Sequence, residues 1–110
     1  MTSRKFAATL LVALPFVAAA TSAMAEQTYI TTNWVETKLS MTECLSRAAD
    51  AIRGAGGWGK VLNTADARHA LRGLYTAQLR CVPDKELLIV VVAGPSNTTA
   101  KYTDELMDHF

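Results

Sequence analysis

Side chains that bind metals or do chemistry are scarce in this chain. Its 110 residues include two histidines, His69 and His109, and two cysteines, Cys44 and Cys81. A zinc site takes three or four ligands at compatible spacing, which this small set does not offer. His109 with Asp104, Glu105 and Asp108 reads as the solvated face of a terminal helix rather than a cation site. No serine stands in a Gly-x-Ser-x-Gly context, so the nucleophile elbow of the α/β-hydrolases is excluded. No Lys/Arg block occurs, whereas a phosphate-binding surface shows as a basic stripe, so nucleic acid is not an expected partner. The glycines at positions 54, 56, 57 and 59 follow a helical pattern instead of a strand, which removes the dinucleotide-binding reading. Neither an internal repeat nor a low-complexity linker is present.

A long apolar run is also missing. A spanning helix needs about 20 apolar residues, and the main apolar stretch covers only residues 6–20, with Pro15 inside it. Arg4 and Lys5 precede that stretch and Ala23-Met24-Ala25 follows it, which is the layout of a cleaved export signal. Cleavage is expected between Ala25 and Glu26, leaving residues 26–110 as a single small domain with no membrane segment. No cysteine stands at the processing site, so a lipid anchor is not expected. Loss of Arg4 and Lys5 takes the formal net charge from +1 to −1. The expected location is the periplasm or the medium beyond it.

That compartment is oxidising, and two cysteines allow one pairing. A Cys44–Cys81 bridge would close a loop of about 38 residues, contributing on the order of 4 kcal/mol by loop-entropy arithmetic. Redox catalysts generally hold their thiols in Cys-x-x-Cys, so a structural bridge is the expected role. Pairing Cys81 as a thiolate with His69 as its base would require the bridge to be absent.

Residues 26–38 are rich in Thr, Val, Ile and aromatics and read as a strand. Both parities carry apolar residues, so the pattern selects no buried face. Ser40-Met41-Thr42-Glu43 is a capping box that opens a helix. Met41, Cys44, Leu45, Ala48, Ala49 and Ile52 form its apolar stripe, and Gly54, Gly56 and Gly57 end it. Residues 58–72 hint at a short strand at Val61 and Leu62, followed by a surface loop. Residues 74–81 alternate, with Tyr75, Ala77, Leu79 and Cys81 facing in. A turn at Pro83-Asp84-Lys85-Glu86 joins them to the apolar run 87–93, expected to be a central strand paired as an antiparallel hairpin. Ser96 or Asn97 caps a last helix with Thr103, Leu106, Met107 and Phe110 inside.

The predicted fold is α+β, with a mainly antiparallel sheet carrying two helices on one face, in the order β-α-β-β-β-α. The disulfide would staple the first helix to the sheet. Three features together carry a resemblance: Thr42-Glu43-Cys44-Leu45 opening a helix, Leu79-Arg80-Cys81 ending a strand, and Val90-Val91-Val92-Ala93-Gly94-Pro95 before the last helix. With the export signal, the chain resembles small uncharacterised periplasmic proteins of Proteobacteria. That resemblance implies location and fold, and no catalytic residue or cofactor.

The expected function is non-enzymatic binding of an envelope protein or a small ligand. Trp58, flanked by glycines, is a candidate anchor, and Arg68, His69 and Arg72 in the polar segment after it complete the candidate surface. Burial of Trp58 against the sheet edge is the competing reading. The alternative function is thiol-redox or metal handling centred on Cys44, Cys81 and His69.

Overall fold

The computed structural model describes residues 27–110. The expected signal segment and its cleavage point at Ala25 and Glu26 lie outside the described residues. The elements are β1 (Tyr29–Glu36), α1 (Met41–Ala55), β2 (Leu62–Asn63), β3 (Ala67–Arg72), β4 (Tyr75–Val82), a 3-10 turn (Pro83–Lys85), β5 (Leu87–Gly94) and α2 (Thr98–His109). All strand pairs are antiparallel, in the sheet order β1-β5-β4-β3-β2. The expected fold class holds, as does the succession of strand, helix, strands and helix, with one strand more between the helices than expected and the apolar strand β5 inside the sheet between β1 and β4. No described helix is long and apolar enough to cross a membrane.

Two layers result because the apolar residues alternate along the strands. Leu88, Val90 and Val92 on β5 and Ala77, Leu79 and Cys81 on β4 are buried and face the helices. Register places Thr31, Asn33 and Val35 of β1 opposite Val92, Val90 and Leu88, which settles the buried face that the sequence pattern left open. α1 packs over β3 and β4, α2 over β5 and β1, and the helices touch each other. Cys44, Leu45, Ala48 and Ile52 of α1 and Leu106 of α2 complete the core. Thr99 and Thr103 are buried with their hydroxyls satisfied: Thr31 Oγ1 and Thr99 Oγ1 lie 2.8 Å apart, and Thr103 Oγ1 donates to the Thr99 carbonyl at 2.8 Å.

The disulfide forms between Cys44 of α1 and Cys81 of β4, with Cα atoms 6.1 Å apart. Both cysteines are 2% exposed, so the bridge joins helix to sheet inside the core.

Local signals act much as expected. Ser40 Oγ accepts the Glu43 amide at 3.2 Å, while the Glu43 carboxylate takes the Ser40 hydroxyl at 2.9 Å in place of the cap amide. α1 ends at Gly56, where φ is +76° and a side chain would be strained. At α2, Asn97 occupies the cap position without a side-chain bond, and Ser96 Oγ accepts the Thr98 amide at 3.3 Å. Ser96 Oγ also meets the Tyr75 hydroxyl at 2.6 Å. That link draws the Tyr75 ring so close to Gly94 that a Cβ there would sit 2.1 Å from it.

One expectation is corrected. The expected surface loop shrinks to residues 64–66: Leu62–Asn63 form β2, next to the hinted strand at Val61 and Leu62, and Ala67–Arg72 form β3, with Ala67 and Ala70 fully buried. The strand was hidden because Arg68 and Arg72 stand on its helix-facing side. Long side chains of this kind lay apolar stems along the layer boundary while their heads reach its rim, so charge did not mark the wet face.

Candidate functional site: the open face of the sheet

Of the four residues of the expected binding surface, Trp58 and Arg72 come together, Arg68 lies on the same side of β3, and His69 lies on the other. Trp58 is half-buried, its ring edge-on to Tyr102 at 5.5 Å between centroids. The Arg72 guanidinium lies 4.4 Å from the Tyr102 centroid and 6.0 Å from that of Trp58. Arg72 also donates to the Gly56 carbonyl at 3.3 Å and stands 3.9 Å from Glu105. Trp58 and Arg72 therefore tie the loop after α1 and the end of β3 to α2. Arg68 closes the β2–β3 turn by donating to the carbonyls of Thr64 at 3.1 Å and Ala67 at 3.0 Å. His69 has the opposite parity on β3. It pairs with Gln78 and Leu62 on the side of the sheet away from the helices.

That same side separates His69 from Cys81, which faces the helices and is bonded to Cys44. A thiolate–imidazole pair does not form. Among the described residues, no three of His, Cys, Asp or Glu come together in a way that could hold a metal ion.

The candidate that remains is the side of the sheet that no helix of the described residues covers. Strand parity and register assign its residues. β1 contributes Ile30, Thr32, Trp34 and Glu36, opposite Ala93, Val91, Ile89 and Leu87 of β5. β4 adds Thr76, Gln78, Arg80 and Val82 next to the same β5 residues. Ile30 is 68% exposed and Trp34 60%, while Leu87, Ile89, Val91 and Ala93 are half-buried only by their neighbours in the sheet. An antiparallel sheet with one wet face is expected to alternate apolar and polar residues, and a strand apolar at every position belongs between two covered faces. β5 has the second pattern and the first environment.

The open face mixes apolar and polar residues across its width. Its β1–β5 half carries Ile30, Trp34, Ile89 and Val91 with Thr32, and its β4–β3 half carries Thr76, Gln78, Arg80 and His69 with Val82 and Leu71, the last 54% exposed. Arg80 is joined to Asp66 at 2.5 Å, and Glu36 marks one corner of the β1–β5 half. At the opposite end lies an open groove of about 270 Å³ lined by Gln27, Thr28, Leu74, Thr76, Ala93, Gly94 and Pro95. Its volume falls just below the range of roughly 300–1,000 Å³ for small-molecule sites.

Sequence reasoning missed Ile30, Trp34, Ile89 and Val91 as surface residues. The available signal was the unbroken apolar run 87–93, which demands cover on both sides, set against only two helices to provide it. The chain matches no protein-family model and no curated protein sequence.

Proposed function

We propose that this chain is an exported, non-enzymatic interaction domain of the periplasm, and that the open sheet face is its binding surface. The observation that carries this reading is the exposed cluster of Ile30 and Trp34 beside Ile89 and Val91, on a face with no helix over it among the described residues. Contiguous apolar patches of this kind mark interaction sites, because water against them is costly. Trp34 has the chemistry of an anchor, with large apolar area and one polar N–H. The face is an uncovered sheet surface and the groove at its end is small and open, which suits a protein partner better than an enclosed small ligand.

Export agrees with the Cys44–Cys81 bridge, since disulfides persist in oxidising compartments. The thiol reading draws no comparable support, because it needs reachable sulfurs and both are within the core. The test is a photo-crosslinking amino acid placed at position 34 in living cells, compared with the same group at Thr42 on the exposed side of α1. Discrete adducts from position 34 and none from position 42 are expected. No adduct from position 34 refutes the reading.

A further inference from the structure

Along an antiparallel strand the backbone groups of alternate residues point to opposite sides, so an edge strand bonds its neighbour with one set and presents the other to water. The phase of β1 is fixed at its end, where the Thr37 amide donates to the Glu86 carbonyl at 2.9 Å. With the register of β1 on β5, the backbone groups of Tyr29, Thr31, Asn33 and Val35 turn inward, and those of Ile30, Thr32, Trp34 and Glu36 turn out. Among the described residues one of these outward groups has a partner: the Trp34 amide donates to the Asn33 side chain, at 2.9 Å from Oδ1.

The other edge of the sheet is closed. There the Gly59 amide donates to the Leu71 carbonyl at 2.8 Å, Leu62 pairs with His69, and the Thr64 amide donates to the Ala67 carbonyl at 3.1 Å. Proteins blunt a long free edge with lysine, proline or a bulge. Residues 29–35 contain no charged residue and no proline, and their register on β5 runs without a break.

We infer that the free edge of β1 pairs with the same edge of a second copy, antiparallel, about a two-fold axis that passes through Asn33 perpendicular to the sheet. Outward residues must meet outward residues, which confines a symmetric pair to registers centred on a residue rather than between two. The ladder of β1 runs from Tyr29 to Thr37, and Asn33 is its centre. A two-fold there sets Ile30 against Glu36 of the other copy and Thr32 against Trp34, so every outward N–H and C=O of both strands gains a partner. The two Glu36 carboxylates fall at opposite ends of the ladder.

The residue on the axis selects a copy over an unrelated strand. Asn33 falls at a non-hydrogen-bonded pair, where Cα atoms approach to about 4.5 Å and side chains are closest. The two Asn33 carboxamides meet there and bond each other, each releasing a Trp34 amide to the Thr32 carbonyl across the ladder. An unrelated strand offers that carboxamide no such counterpart. The pairing lies in the plane of the sheet, so it sets two open faces side by side without covering them and does not depend on what they bind. A single ladder buries less than a standard interface, which places the association in the weak, transient class.

Sedimentation velocity over a concentration series of the full chain, recovered as the producing cell leaves it, provides the test. A monomer–dimer equilibrium with a Kd on the order of 100 µM is expected, and a monomer up to about 1 mM overturns the inference. Asn33→Asp still accepts the Trp34 amide in the monomer but brings two carboxylates together on the axis, and should weaken dimerisation at least about tenfold near neutral pH. Thr32→Pro removes an outward donor and leaves the inward bonds of β1 intact, as proline on an edge strand can; it should weaken dimerisation by at least a similar factor, with the fold checked by circular dichroism. Gln78→Lys, on the open face two strands in from the edge, should leave the equilibrium unchanged. A dimer that ignores Asn33→Asp or a folded Thr32→Pro, or that dissociates on Gln78→Lys, is joined in another register or through another surface and overturns the inference. If Thr32→Pro does not fold, Asn33→Asp decides.

Discussion

Replacing both cysteines, as Cys44→Ala/Cys81→Ala, should remove about half of this domain's stability. The bridge links residues 37 apart in sequence, and closing a loop of that length lowers the entropy of the unfolded chain by an amount worth about 4 kcal/mol. Loss of two buried sulfurs from the α1–β4 contact adds to the deficit in the same direction. A domain of this size has only about 5–12 kcal/mol in hand. Each kcal/mol shifts Tm by about 4–8 °C for a chain this short, so the double variant should melt roughly 15–30 °C below the parent. Urea titration followed by circular dichroism, with the parent oxidised, gives the free-energy difference directly. A loss below about 1 kcal/mol would refute the reasoning, since it would mean that residual structure already confines the unfolded chain or that the bridge strains the native state. Because both sulfurs are within the core, the folded parent should also resist alkylation after mild reductant until it is unfolded.

Two further outcomes follow from the geometry around Tyr75 and Trp58. Gly94→Ala should cost about 1–3 kcal/mol by thermal melting, because the added Cβ falls 2.1 Å from the Tyr75 ring, which is held by Ser96 and stacked edge-on against Tyr102 at 5.1 Å. Trp58→Ala should lower stability by about 2–3 kcal/mol while leaving crosslinking from position 34 unchanged. Lost crosslinking at unchanged stability would restore Trp58 to the binding surface.

Periodicity and capping made the two helices, β4, β5 and their inward faces legible, because each is a local consequence of which side chains can be buried on one stripe or one face. β3 was not legible, since the arginines on its helix side carry their charge to the rim and erase the alternation. The candidate surface fared less well for a related reason. A tryptophan between glycines looks uncovered in sequence, yet the chain returns Arg72 and Tyr102 to cover Trp58. Trp34 sits in an unremarkable strand and is left bare.

The sequence by itself determined the class of elements, the one available cysteine pairing and the stapling of helix to sheet, because these depend on residue type and spacing along the chain. Only the tertiary structure decided which face of β1 is inside, that residues 67–72 complete the sheet, and that both helices spend themselves on one side. The apolar rows of β5 are written in the chain, but whether anything covers them depends on where distant segments come to rest. Among the described residues both helices fill one side of the sheet, and the other stays uncovered.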